Sequence, residues 1–289
     1  VGIMVTASHN PPQDNGYKVY IGPDADGIAY ASSQIISPTD EFIASDIAAI
    51  TSLASQPRRK IWTVLDDSVV NEYITRTASL AKDPGALKIV YTAMHGVGTQ
   101  TLASVFSKAG FPDLILVKEQ AEPDPDFPTV AFPNPEEPGA IDLALATART
   151  HNADLVIAND PDADRCAAAI KGRDGNWRML RGDELGVIFG EWIARTSPRG
   201  TFGNSIVSSS ILRKISAHYG IDFKEVLTGF KWLAKIEDLA FGYEEAIGYA
   251  VDSETVNDKD GISAAIFLAQ IATDLAAAGK DLNDLLDEV

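Results

Sequence analysis

Leu155-Val156-Ile157-Ala158-Asn159-Asp160-Pro161-Asp162-Ala163-Asp164-Arg165 joins a short apolar run to three carboxylates in alternate positions. Four apolar residues bounded by polar turn formers read as a buried strand, and the acidic stretch marks its carboxyl end. Sites in α/β proteins are built at such ends. Upstream, Lys88 to Met94 is strand-like, Thr99 to Ala109 helical with Gly110 as stop, Asp113 to Val117 strand-like and Ala140 to His151 helical. Downstream, Cys166 to Ile170 is strand-like and leads to the turn Arg173-Asp174-Gly175-Asn176. Strand and helix alternate, which predicts a parallel α/β layer.

The alternation restarts near Gly182. Leu185, Ile188, Phe189 and Trp192 recur at helical spacing behind Asp183, the expected N-cap. Ser205 to Ser208 then reads as strand, Ile211 to Tyr219 as helix, Val226-Leu227 as a short strand and 262–278 as an Ala-rich amphipathic helix. At the other end, Gly2 to Thr6 reads as a buried strand, stopped by a loop from Ser8 to Gly16 whose prolines cannot continue a ladder. Tyr17 to Ile21, a Gly/Asp/Ala segment and a helix from Thr39 to Leu53 follow, then a linker from Ser55 to Lys60. The expected architecture is a series of α/β units with mixed, largely parallel sheets, at residues 1–58, 59–181 and 182–289.

The chain has 289 residues, 45% hydrophobic, with 24 Lys+Arg against 41 Asp+Glu and a net charge of −17. Such a chain buries large cores without disulfides. Nucleic acid is not an expected partner, because no basic run exceeds Arg58-Arg59-Lys60. No apolar stretch reaches the ~18–20 residues that cross a bilayer, so a membrane is not expected either. The single Cys166 excludes an intramolecular disulfide, and His9, His95, His151 and His218 lack zinc-site spacing. A reducing cytoplasm is the expected compartment. The apolar start at Val1, with neither initiator Met nor signal peptide, reads as a core strand cut out of a longer chain.

Asp160, Asp162 and Asp164 point to one side if their loop is extended, and could together ligate one hard cation such as Mg²⁺. Without a cation or base they repel one another. A solvated acidic turn is the plain alternative. An EF-hand is excluded, since Arg165 stands where that loop needs Gly and Lys171 where it needs Glu. A strand followed by Asp-x-Asp also suits a phosphatase of the haloacid dehalogenase type with Asp160 as phosphoryl acceptor, although Asp164 stands where that family has Thr or Val. Thr6-Ala7-Ser8-His9-Asn10-Pro11-Pro12 presents a serine beyond a strand, placed to accept and hand on a phosphoryl group or simply to form a turn. Lys18 could supply a charge or a proton. Thr228-Gly229-Phe230-Lys231-Trp232 couples a turn to a cation, and Glu244-Glu245 lie between aromatics and glycines, where carboxylates can hold a polyol or merely meet solvent. Gly96-Val97-Gly98-Thr99-Gln100-Thr101 lacks the third glycine of a dinucleotide fingerprint.

In this order the segments resemble the α-D-phosphohexomutases, the phosphoglucomutase and phosphomannomutase family: TASHNPP, DPDADR, GFKW, then EEAIGY followed by Asn257-Asp258-Lys259-Asp260-Gly261. Ile89-Val90-Tyr91-Thr92 with His95 to Gly98, and Pro133-Asn134-Pro135-Glu136-Glu137, extend the likeness over nearly the whole chain. The resemblance implies a phosphoserine at Ser8, Mg²⁺ held by Asp160, Asp162, Asp164 and a phosphoserine oxygen, Arg165 near the phosphoryl group and Lys18 as general acid/base. It also places His9, Gly229, Lys231, Glu244, Ala246 and Lys259 on the sugar and phosphate face. The implied reaction moves phosphate between the 1- and 6-positions of glucose or mannose phosphate through a bisphosphorylated intermediate, with glucose 1,6-bisphosphate as activator. A pentose phosphate mutase, the phosphatase and a non-catalytic sugar-phosphate-binding fragment are the alternatives. Two departures stand out. Ala246 replaces a serine found in most of the family, and the spelling EEAIGY looks like the phosphopentomutase branch. Most of a first domain and a fourth, phosphate-gripping domain have no counterpart in the chain, so low turnover is expected of it.

Overall fold

The computed structural model describes residues 1–22, 32–58 and 61–289. Most of the Gly/Asp/Ala segment and the Arg59-Lys60 end of the expected linker lie outside the described residues. β1 (Gly2–Val5) and β2 (Tyr17–Tyr20) form an antiparallel ribbon with Met4 opposite Lys18. The expected strand forms, and in this chain its side chains are exposed, Ile3 at 65% and Val5 at 85%. A two-stranded ribbon satisfies the backbone along one edge only and supplies no second layer to cover its side chains. α1 (Thr39–Ala49) stops short of the expected Leu53, where Ile50 turns extended, and buries none of its residues.

α2 (Ser68–Ala78) leads into a five-stranded sheet made of β3 (Ile89–Thr92), β4 (Ile115–Leu116), β5 (Leu155–Asn159), β6 (Cys166–Lys171) and β7 (Trp177–Met179). The strand order is β4-β3-β5-β6-β7, with β3 parallel to both β4 and β5, and β6 antiparallel to β5 and β7. α3 (Gly98–Ala109) ends at Gly110, whose φ of +91° closes the helix as its sequence predicts, and α4 (Asp142–His151) ends at Asn152 with φ of +48°. The acidic stretch is the connection from β5 to β6.

α5 (Gly182–Thr196) opens one residue before Asp183, and Glu184 rather than Asp183 closes its first turn by accepting the Arg181 N–H at 2.8 Å. Asp183 instead accepts from Ser209 N at 2.6 Å and Tyr243 OH at 2.8 Å. A second sheet contains β8 (Thr201–Ser205), β9 (Asp222–Val226), β10 (Leu239–Glu244) and β11 (Gly248–Ala250) in the order β11-β10-β8-β9, with only β11 antiparallel. α6 (Ile211–Tyr219) crosses from β8 to β9, and α7 (Phe230–Leu233) precedes β10. Of Ser205 to Ser208, expected to be strand, only Ser205 is, as the last residue of β8, and 206–208 form the turn after it. Gly203 sits mid-strand, where a Cβ would stand 2.5 Å from Ile236 Cδ1.

α8 (Gly261–Ala277) and α9 (Leu282–Glu288) complete the chain. α8 packs on α2, α3, β5, β6 and β11, so its small residues Ala264, Ala265 and Ala269 let one apolar core run behind both sheets. Phe189 of α5 is fully buried there, stacked on Phe267 at 5.8 Å and edge-on to Tyr249 at 5.1 Å. Phe189→Ala should therefore lower the unfolding free energy by about 3–5 kcal/mol. Denaturant melts will measure the loss, with the native far-ultraviolet spectrum retained.

Candidate active site

Asp160, Asp162 and Asp164 do converge, but not on an extended loop. The loop turns, with Ala163 at φ +59° and its N–H on Asp160 O at 2.9 Å. Arg165 N–H donates to Asp160 Oδ1 at 3.0 Å, and Asn159 Nδ2, oriented by Tyr91 OH, donates to Arg165 O. Gly96 makes room from the neighbouring strand end, since a Cβ there would lie 2.3 Å from Pro161 Cα. One ligand atom from each carboxylate lies within 4.8 Å of the others. Asp162 Oδ1 and Asp164 Oδ1 are buried and accept no hydrogen bond, which leaves them open to a cation.

The ribbon brings Ser8 to this cluster. Ser8 has φ +55°, its N–H bonds Thr6 Oγ1 at 2.8 Å, and the Thr6 hydroxyl donates to Asp162 Oδ2 at 2.9 Å. Ser8 Oγ lies 3.5 Å from Asp160 Oδ2 and 3.4 Å from His9 Nδ1. Arg165 NH1 donates to His9 Nδ1 at 2.9 Å, so the imidazole orients the guanidinium beside the serine. Lys18 pairs with Asp164 at 2.5 Å and Asp162 at 3.3 Å, and Lys259 reaches Asp164 at 3.2 Å.

The charges are shared unevenly. Burial would lower the Lys18 ammonium, but Asp164 and Asp162 outweigh it and hold Lys18 above its ordinary value. Burial likewise opposes the ionised Asp164 and is overcome by Lys259 and Lys18, which hold the carboxyl below the usual range. Asp160, 0% exposed, has no such lysine; burial pushes it up to about 6, with Asp164 and Asp162 adding to the rise and the His9 hydrogen bond resisting it. An acid raised in this way costs folding stability as pH climbs from its unfolded value through 6. A divalent cation would offset that cost, and hard oxygen donors suit Mg²⁺.

Glu244, at the end of β10, accepts Gly229 N–H at 2.6 Å; burial raises its carboxyl, with that hydrogen bond and Lys259 opposing. Ala246 lies in the turn from β10 to β11, which Cys166 N–H ties to the acid loop through Ile247 O at 3.0 Å. Lys231 stands apart, its Nζ 5.9 Å from the Trp232 ring and without an ion pair among the described residues. Sequence reading passed over four residues that the fold brings in. Tyr20 and Asp258 bond at 2.8 Å, Thr6 links Ser8 to Asp162, and Glu136 joins the field of Arg165 and His9. Thr6, Asp258 and Glu136 lie inside segments that the motif order had marked, which was the available signal, whereas Tyr20 lies only in the stretch Tyr17 to Ile21. A pocket of about 380 Å³ beside the cluster is lined by Tyr20, Tyr73, Asp162, Asp164, Asp258 and Lys259 among others.

Models of phosphoglucomutase/phosphomannomutase α/β/α domains I, II and III match residues 1–44, 70–174 and 181–289. A Haemophilus influenzae protein named "Probable phosphomannomutase" is 49% identical over 99% of this chain and 59% of its own length. A Mus musculus protein named phosphopentomutase is 37% identical over 100% of this chain and 50% of its own. The chain thus spans little more than half the length of these relatives. A crystal structure of a phosphoglucomutase/phosphomannomutase family protein from Burkholderia thailandensis shares the fold, with a TM-score of 0.77, 19% identity and coverage of 99% of this chain and 57% of that one. Motif order, fold and three successive domain matches agree, and the chain belongs to the phosphoglucomutase/phosphomannomutase family of α-D-phosphohexomutases.

Proposed function

We propose that this chain carries the phosphoryl-transfer site of a phosphosugar mutase, acting in the cytoplasm on a hexose phosphate between its 1- and 6-positions. The observation that carries the reading is Ser8 Oγ, 3.5 Å from Asp160 Oδ2 at the edge of a three-carboxylate cluster with two unsatisfied buried oxygens. Asp160, Asp162 and Asp164, with an oxygen of phosphorylated Ser8, would hold Mg²⁺. Bound there, the ion supplies charge compensation for the phosphoryl oxygens.

The chain's own residues do the rest. The positive-φ loop presents Ser8 outward, and Arg165, oriented by His9, offers its guanidinium to the equatorial oxygens. The bond from phosphorus to Ser8 Oγ breaks as a sugar hydroxyl bonds to phosphorus, and the hydroxyl's proton ends on Ser8 Oγ; the bisphosphorylated sugar then returns its other phosphate to Ser8, whose proton passes to the freed sugar oxygen. Lys18 is held protonated by its two aspartates, so charge and proton donation suit it better than base catalysis. Glu244 accepts sugar hydroxyls, with Gly229 and Lys259 beside it and Lys231 in reach of a phosphate farther out. Ala246, which offers no side-chain hydrogen bond, favours a pentose phosphate with 1- and 5-positions as the second reading. The aspartyl-phosphate phosphatase is not retained: Asp160 is buried, its Oδ1 is engaged by Arg165 N–H, and the family is a mutase family.

Incubation with glucose 1,6-bisphosphate labelled in its phosphates and Mg²⁺ should place an acid-stable label on Ser8, absent from Ser8→Ala. A base-labile label on an aspartate would overturn the assignment, and no label at all would favour a binding fragment. Rates with glucose 1-, mannose 1- and ribose 1-phosphate should rank the hexoses first; a ribose preference would select the second reading. In calorimetric titration, Asp162→Asn should weaken Mn²⁺ binding by at least about tenfold, since a direct ligand is worth no less than its supporting shell.

A further inference from the structure

Lys18 and Tyr20 are two residues apart on β2 and so share one face of the ribbon. Lys18 enters the acid loop at Asp164. Tyr20 reaches a different segment, donating its hydroxyl to Asp258 Oδ2 at 2.8 Å. Asp258 Oδ1 accepts the Lys259 N–H at 2.7 Å and lies 3.4 Å from Lys259 Nζ, which in turn is 3.2 Å from Asp164 Oδ2. The contacts therefore form a closed circuit from β2 through Asp164, Lys259 and Asp258 back to β2.

All of this circuit except Tyr20 is charged, and it is shielded, with Asp258 8% and the Lys259 side chain 10% exposed. Burial and the adjacent Asp258 push the Tyr20 phenol far above its ordinary range, which keeps it a donor. Two carboxylates compete for Lys259 Nζ. Asp258 is covalently next to it, so only the orientation of Asp258 leaves the ammonium shared with Asp164. Tyr73 of α2 holds the other side of this loop, donating to Asp260 Oδ1 at 2.8 Å.

We propose that Tyr20 is a positioning residue. Its hydroxyl fixes Asp258, and through it the Lys259 charge, at the junction of the acid loop and the sugar loop, coupling the ribbon that carries Ser8 to both. The effect on turnover rests on the mutase reading; the effect on the loop does not.

The test compares Tyr20→Phe, Asp258→Asn and the double variant, with Ser8→Ala as the activity blank. Amide exchange over residues 255–260 should quicken about tenfold in Tyr20→Phe, the order expected for losing a hydrogen bond to a charged group. With the best sugar 1-phosphate, kcat should fall about tenfold while KM stays within about twofold. The double variant should be no worse than Asp258→Asn alone, because both changes cut one link. Unchanged exchange, unchanged kcat, or independent and additive losses would each overturn the proposal. If Tyr20→Phe fails to fold, Asp258→Asn must still quicken exchange and lower kcat, or the proposal fails. If wild-type turnover equals that of Ser8→Ala, the Ser8 label decides the mutase reading and the exchange result alone decides the positioning role.

Discussion

Three carboxylates packed at the buried end of β5 constrain most of the rest of the site. Their mutual repulsion must be balanced, and two of the balancing groups come from distant stretches of chain, Lys18 from the ribbon and Lys259 from the loop before α8, while Arg165 comes from the acid loop itself. The sheets bring those stretches together, and the charges then fix their spacing. Asp160 remains the least compensated of the three. The chemistry proposed for the site uses the same deficit, since a group that lacks a lysine has room for a cation and a phosphate.

The fold depends on a second, quieter constraint. α8 is in contact with elements from both sheets, and its alanines set how closely they approach. Its first turn is capped by Asp260, which accepts from Ile262 N and Ser263 N, and the same residue takes the Tyr73 hydroxyl. Core packing and site geometry thus meet at one residue, next to Lys259. A disturbance of the core behind α8 would be felt first in the loop that carries Asp258 and Lys259.

Much of this was legible in sequence where local pattern and final burial coincide. β5 is an unbroken apolar run up to Asn159, buried on both faces, and α6 runs over the expected Ile211–Tyr219 with its apolar spacing on the covered side. β9, with the sequence Asp-Phe-Lys-Glu-Val, was seen only at its end because an edge strand can carry charge on its open side. α2 escaped because its buried residues are Thr77 and Ala78, not a stripe of large apolar groups. β1 forms where its apolar run predicts a strand, although the ribbon leaves that run exposed in this chain. In the acid loop the spacing pointed to convergence correctly, while the mechanism was a turn at Ala163 rather than an extended run. The bond from Tyr20 to Asp258 joins residues 238 positions apart, and no local pattern encodes it.

The ribbon that carries Ser8 is bound to the body of the protein through Thr6, Lys18 and Tyr20, each of which ends on an aspartate, while its apolar side chains Val1, Ile3 and Val5 stay exposed. Among the described residues, the contacts that place the serine are therefore polar and mostly charged. Adding a phosphate to that serine or a cation to the aspartates would change the forces that hold it there, so the proposed transfer would alter the setting of its own reactive group.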